Sequence, residues 1–163
     1  LSLRAALSAP ERVRALILID TQPGVESPEK LPGYDQLLEA WVGNDLPQEV
    51  ADVVAGIILG PGYEDTPKWQ EKWRAMPHEN VRGVYKTLRS REDDVAPRLA
   101  ELTMPALVVH GEHDAAIELD VARQFADDLP DAELVVIEGA GHAANLTHPD
   151  QVNPAIERFL ARL

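Results

Sequence analysis

The chain contains no cysteine, which excludes disulfide bonds, thiolate nucleophiles and cysteine-based metal sites. It also lacks an apolar run long enough to span a bilayer. Its start shows no secretory signal, and the first residue is Leu1 rather than methionine. We therefore expect a cytoplasmic protein without a membrane anchor, and we expect that a further segment precedes Leu1.

Basic residues are scarce, with 15 Lys and Arg against 28 Asp and Glu and a formal net charge of −13. A surface this acidic repels phosphate backbones and anionic lipids, so neither nucleic-acid binding nor membrane-surface binding is expected. The simpler interpretation is that the negative surface charge keeps the protein in solution. With 163 residues, 45% hydrophobic and 26% charged, the chain is large enough for one globular domain with a real core.

Three nearly continuous apolar runs predict buried parallel strands, because strands covered on both faces lack the alternating pattern. These runs are residues 14–20, 105–110 and 133–137. Helical patterns stand before and between them, with a four-residue apolar spacing in the later ones. These helices are predicted at 2–8, 120–129 and 151–163. The alternation of strand and helix predicts a doubly wound α/β sheet with βαβ crossovers.

Residues 23–95 contain no convincing strand, and proline and glycine recur at short intervals. Helices are predicted there at 34–42, 48–59, 66–75, 79–91 and 95–102. A helical block of this size is too long for a connecting loop. We therefore predict an inserted helical cap over 23–95, with 1–22 and 96–163 forming the core.

All three tryptophans lie in the predicted cap: Trp41, Trp69 and Trp73. They are candidates for lining an apolar acyl or ring pocket, and so for binding a substrate. Because Trp69 and Trp73 are four residues apart on one helical face, core packing explains them equally well.

Chemically active side chains follow the second and third predicted strands. HGEHD ends at Asp114, and GAGH ends at His142. The carboxyl ends of neighbouring parallel strands open into one crevice, so we expect Asp114 and His142 to meet there. A buried carboxylate next to an imidazole fixes its tautomer and stabilises the imidazolium that forms during proton transfer. The glycines beside both residues allow tight turns.

These motifs resemble the last third of an α/β-hydrolase. The resemblance lies in VHGEHD, in EGAGHAANLTHP and in a helix ending Phe-Leu. Within that fold, the chain is similar to the group of esterases, enol-lactonases and carbon–carbon bond hydrolases. Upstream, LRAALSAPERVRALILIDT resembles the helix after the nucleophile elbow and the following strand. The resemblance covers nearly the whole chain, weakly in the cap. It implies three C-terminal strands of that fold, Asp114 as triad acid, His142 as triad base, and no metal or cofactor.

The nucleophile of that family is not found here. No Gly-x-Ser-x-Gly occurs, and Ser2, Ser8, Ser27 and Ser90 lack the flanking glycines. We expect the missing segment to end just before Leu1, and the chain alone to be inactive through a triad. The first strand would then leave an unpaired edge, which favours a homodimer or association with a missing N-terminal segment.

The function implied by the resemblance is hydrolysis of small carboxylic esters or lactones. Alternatives on the same fold are cofactor-free perhydrolase (haloperoxidase-like) chemistry and carbon–carbon bond hydrolysis. A non-catalytic ligand-binding module stays open as a different class, because α/β-hydrolase folds also serve as receptors.

Each site residue also has a structural interpretation. Asp114 is a possible helix N-cap, and His142 a turn residue satisfied by backbone. Asp20 ends the first strand, where some hydrolases of this fold place the acid, but a turn-forming or capping role is favoured. His110, His113 and Asp114 have the side chains of a metal site. The strand position of His110 and the lack of a further helical ligand argue against one.

Overall fold

Three parallel strands form the sheet that carries the candidate residues. In the computed structural model, which describes residues 1–43, 45–90 and 95–163, they lie in the order β1-β2-β3. Leu16 pairs with Ala106, which in turn pairs with Ala132. The strands are β1 (Leu16–Ile19), β2 (Ala106–Gly111) and β3 (Ala132–Ile137). Their bounds lie within two residues of the predicted ones, and the α/β class is confirmed.

Helices precede, separate and follow these strands. They are α1 (Ser2–Ser8), α2 (Leu31–Gly43), α3 (Gln48–Ile58), α4 (Thr66–Arg74), α5 (His78–Arg89), α6 (Leu119–Asp127), α7 (Ala144–Thr147) and α8 (Pro149–Leu160). Among the described residues, no helix combines the length and the apolar character needed to cross a bilayer.

Helices cover both faces of the central strand, β2, and all of its residues are buried. Leu107 belongs to an apolar cluster with Phe159 of α8. Val108 points to the opposite face, because successive side chains alternate along a strand, and it clusters with Phe125 of α6. The sheet is therefore covered on both sides, as the continuous apolar run of β2 predicts.

The outer strands are less buried than predicted. β1 alternates buried and half-buried residues, and β3 is half-buried over most of its length, with Val136 39% exposed. Each of them has one strand neighbour in the described part of the chain, so one of its edges is not covered by another strand.

The segment between β1 and β2 is helical, and its described residues form α2 to α5 without a strand. The predicted end of the last of these helices at residue 91 lies outside the described residues. The helical stretch predicted at 95–102 is a 3-10 helix over Ala96–Glu101. Its bonds from Arg98 N–H to Val95 O and from Leu102 N–H to Leu99 O span three residues, and Pro97 has no N–H to donate. That 23–95 is a separate cap domain stays a prediction.

The helical segment packs against the loop that carries His142. Leu59 and Trp73 share an apolar cluster with Ala143 and Leu146, which follow His142 in the chain. This contact fixes the helical segment over the carboxyl ends of the strands.

One edge of β1 has no partner among the described strands, since β1 pairs with β2 alone. Ile17 and Ile19 on this strand are half-buried. Such an edge offers unpaired backbone groups to another chain, and association through it stays a prediction.

Asp20, directly after β1, connects three parts of the fold. Its Oδ1 accepts the Gly111 N–H at the end of β2, and its Oδ2 accepts the Ala144 N–H at the start of α7, both at 2.8 Å. Asp20 is buried and has a φ of 45°. Burial raises its pKa, although both N–H groups act in the opposite direction. These contacts favour the turn-forming and capping interpretation of Asp20.

Replacing this carboxylate tests its role in holding the loops. We expect Asp20→Asn to lower the free energy of unfolding by about 1–3 kcal/mol, because the new amide NH₂ faces a buried backbone donor. Asparagine tolerates the positive φ, so backbone strain does not contribute. Denaturation in urea measures the change. The exposed Asp131→Asn should stay within about 0.5 kcal/mol of the parent, and equal losses in the two variants would contradict the role.

Candidate active site

The loops after β2 and β3 bring Asp114 and His142 into direct contact. The distance from His142 Nδ1 to Asp114 Oδ2 is 2.8 Å. The Asp114 side chain is fully buried, whereas the His142 side chain is 27% exposed. A carboxylate accepts only, so Nδ1–H donates to it, and Nε2 is then the ring atom that can take up a proton.

The other oxygen of Asp114 organises its own loop. Oδ1 accepts the N–H groups of Ala116 at 2.8 Å and Ile117 at 3.0 Å. The alternative that Asp114 is a helix N-cap is wrong, because α6 begins only at Leu119 and its N-cap residue is Glu118. A local turn and the contact with His142 therefore use the same carboxylate at the same time.

Glycine allows the two loops to approach closely. A Cβ atom at Gly111 would lie 2.2 Å from the carbonyl oxygen of Gly141 and 2.6 Å from that of Ala140. A real Cβ atom cannot lie so close to a backbone oxygen. Only glycine at position 111 therefore allows the end of β2 to contact the loop after β3. Gly139 has a φ of 75°, which glycine adopts without a steric cost.

The pair has complementary electrostatics. Burial raises the pKa of Asp114, but the hydrogen bond from His142 and the N–H of Ile117 outweigh it, so the pKa lies below its usual value. Burial lowers the pKa of His142. The hydrogen bond with Asp114 and the charges of Asp114, Asp20 and Glu26 outweigh this, so the net pKa lies above 6.5.

His110 lies behind the pair and is fully buried. Its Nε2 lies 2.9 Å from the carbonyl oxygen of Ile117 and 3.4 Å from Asp114 Oδ2. Its Nδ1 has no hydrogen-bond partner among the described residues and lies 3.9 Å from Asp20 Oδ1. This imidazole anchors the Asp114 loop from below through the Ile117 carbonyl.

Five of the six candidate metal-ligand atoms at the site already contact other groups, and His110 Nδ1 is the one without a partner among the described residues. Ligand atoms of Asp20, His110 and Asp114 lie within 4.8 Å of one another. However, all four carboxylate oxygens accept hydrogen bonds, and the Nε2 of His110 contacts a carbonyl. The set of His110, His113 and Asp114 considered from the sequence is not brought together, because the side chain of His113 is 59% exposed.

A cavity of about 650 Å³ lies between the strand ends and the helical segment. Asp20 and His142 contribute to its wall. The remaining wall is mainly apolar and comes mostly from the helical segment α2 to α5, with a contribution from the loop after Asp114. It includes Leu37, Leu38, Val54, Ile57, Ile58, Met76, Val81, Val84, Leu88, Ala116 and Ile117.

The three tryptophans differ in their relation to this cavity. Trp41 and Trp73 line it, with ring centroids 6.3 Å apart. Trp69 is not among the lining residues, which favours its core-packing interpretation, and contact of Trp69 with a substrate stays a prediction. It packs against Trp73 with ring centroids 6.4 Å apart, and the ammonium of Lys72 lies 4.3 Å from its ring centroid.

Glu26, Tyr34 and Tyr85 are among the lining residues that were not predicted from the sequence. Burial raises the pKa of Tyr34, and the charges of Glu26 and Asp114 raise it further. No local pattern marks these residues, because only the packing of α2 and α5 above the strand ends brings them together.

The coupling of the pair is testable by pH titration. We expect an NMR-measured pKa of His142 above 6.5, and a lower pKa in Asp114→Asn, because the amide carries no charge. A raised pKa means that this contribution to stability is complete below pH 6.5 and is lost as the pH rises through the folded-state pKa. Asp120→Asn, at an exposed position, should leave the titration unchanged. An unchanged pKa in Asp114→Asn would contradict the coupling.

Known proteins of one family match this chain over most of its length. A sequence profile of the alpha/beta hydrolase family matches residues 1–155. The 2-hydroxymuconate semialdehyde hydrolase of Pseudomonas putida is 30% identical over 99% of this chain and 58% of its own length. The pimeloyl-[acyl-carrier protein] methyl ester esterase of Pectobacterium atrosepticum is 28% identical over 94% of this chain and 63% of its own.

A similar solved structure is the thermophilic esterase from Thermogutta terrifontis with malate bound. Its TM-score is 0.81 at 27% identity, and the match covers 99% of this chain and 60% of the esterase. This chain therefore spans about 58% to 63% of the length of these relatives. With the profile matching nearly from end to end, the chain belongs to the α/β-hydrolase family.

Proposed function

We propose that this chain supplies the acid and the base of a serine-type hydrolase that acts on small carboxylic esters or lactones, with water as the second substrate. The observation that carries the proposal is the 2.8 Å contact between a buried carboxylate and a histidine that lines a 650 Å³ cavity. A histidine with a purely structural role would need the contact with the carboxylate but not the exposure to a cavity.

In this mechanism, His142 Nε2 takes the proton of the nucleophile as it attacks the ester carbonyl. Asp114 holds the ring through Nδ1 and stabilises the imidazolium, which then protonates the leaving group. Water, activated by the same nitrogen, releases the acid product. The mechanism requires a serine in a Gly-x-Ser-x-Gly elbow, which these 163 residues do not contain, so we propose that this chain alone is inactive through the triad.

Carbon–carbon bond hydrolysis is a second candidate, because the relative from Pseudomonas putida carries the name of a semialdehyde hydrolase. The same Asp114 and His142 would serve it. We place the enzyme in the cytoplasm, because a chain without cysteine has no disulfide bonds that the reducing conditions there would break.

The product of the longest reading frame that contains this chain is the material for the test, with p-nitrophenyl acetate as substrate. We expect His142→Ala to lower kcat by a factor of about 10²–10⁴, which is the usual contribution of a general base. His113→Ala is the matched control, because His113 lies on the Asp114 loop but is exposed. Its kcat should stay within about twofold of the parent.

Two results would contradict the proposed function. One is an absence of esterase activity in the parent protein. The other is a kcat of His142→Ala within about tenfold of the parent, since no general base contributes so little at a triad.

A further inference from the structure

We propose that His110 is a positioning residue for the Asp114–His142 pair. It holds the turn that carries the Asp114 carboxylate, and through that carboxylate it orients the imidazole of His142. The proposal concerns the geometry of the pair, and it rests on the proposed function only where its test measures turnover.

His110 occupies a position where an apolar side chain is the ordinary choice. It is the polar side chain of β2, whose other residues are alanine, leucine, valine and glycine, and it is fully buried. Its Nδ1 has no hydrogen-bond partner among the described residues, and an unpaired buried polar atom lowers stability. An apolar side chain of similar size would fill this space without that cost, so packing alone does not account for a histidine here.

The ring of His110 donates through Nε2. This atom lies 2.9 Å from the carbonyl oxygen of Ile117, and a carbonyl oxygen accepts only, so the proton is on Nε2. The N–H of the same residue, Ile117, donates to Asp114 Oδ1 at 3.0 Å. Two side chains therefore hold the turn after β2: Asp114 binds the N–H of Ile117, and His110 binds its carbonyl oxygen.

The same nitrogen also lies near the oxygen that holds His142. His110 Nε2 is 3.4 Å from Asp114 Oδ2, and this oxygen accepts the Nδ1–H of His142 at 2.8 Å. The position of Oδ2 sets the length and the angle of that hydrogen bond. A change at His110 is therefore transmitted through Asp114 to the ring of His142.

The sheet gives His110 a rigid base. β2 lies between β1 and β3, and His110 itself pairs with Val136. His110 is not among the residues that line the cavity in the described part of the chain, so it acts without touching a bound substrate. Its effect falls on the orientation of His142, which we expect to change kcat and to leave KM nearly unchanged.

Two substitutions separate the hydrogen bond of His110 from its volume. His110→Gln keeps an N–H donor close to the position of Nε2, whereas His110→Met fills a similar volume without a donor. Val108→Ala is the control for a general loss of stability, because Val108 is buried on the same strand and packs in the apolar cluster of Phe125.

The proton on His142 Nδ1 reports the contact with Asp114 directly. Its NMR signal and its exchange with water are measured in the product of the longest reading frame that contains this chain. We expect His110→Met to speed the exchange at least about fivefold, because a weaker hydrogen bond to Asp114 protects the proton less. In His110→Gln and Val108→Ala the exchange rate should stay within about twofold of the parent.

Hydrolysis of p-nitrophenyl acetate gives the kinetic readout. In His110→Met we expect kcat to fall about tenfold or more with KM within about twofold, since small displacements of a catalytic group are costly. In His110→Gln and Val108→Ala both constants should stay within about threefold of the parent. A parent protein without esterase activity would refute the proposed function, and the NMR measurement would still decide the role of His110.

Any of three results in the variants would overturn the proposal: an unchanged exchange rate of the His142 proton in His110→Met, equal effects of His110→Met and His110→Gln, or an equal effect of Val108→Ala. One further measurement does not depend on the folding of a variant. Nitrogen-15 chemical shifts of His110 in the parent should show a proton on Nε2. A proton on Nδ1 alone would also contradict the proposal, because the ring could then not donate to Ile117.

Discussion

The site depends on the hydrogen bonds of the Asp114 carboxylate, because its two oxygens accept from two different segments. Oδ1 closes the turn that follows β2 by accepting the N–H groups of Ala116 and Ile117, and Oδ2 accepts from His142 on the next loop. Such a buried negative charge is tolerated because every oxygen has a donor. The arrangement that stabilises the charge is therefore the same one that orients the imidazole.

The parallel sheet explains why these segments meet at all. Neighbouring strands that run in one direction place their following loops at one rim, and Gly111 allows the loop of His142 to lie against β2. Asp20 then connects the ends of β1 and β2 to Ala144, two residues after His142. Above this rim, the helical segment contributes most of the mainly apolar wall of the cavity.

Local sequence patterns predicted what depends on local chemistry. The apolar runs predicted the positions of the strands, and the motifs at the strand ends predicted that Asp114 and His142 lie together. The residues of the cavity wall depend on tertiary packing, which a single sequence does not display. Trp69 and Trp73 have the same spacing and residue type, but only Trp73 reaches the cavity. Glu26 belongs to no sequence motif, and only the folded structure shows that it lines the cavity.

The tautomer of His142 tests the central contact most directly, because the account requires a proton on Nδ1 and a free Nε2 in the neutral ring. Nitrogen-15 chemical shifts of the ring, measured above its pKa, distinguish the two forms. The account predicts Nδ1–H as the main tautomer, held by Asp114. A neutral ring protonated mainly on Nε2 would contradict it, since the ring would then have neither this hydrogen bond nor a free base facing the cavity.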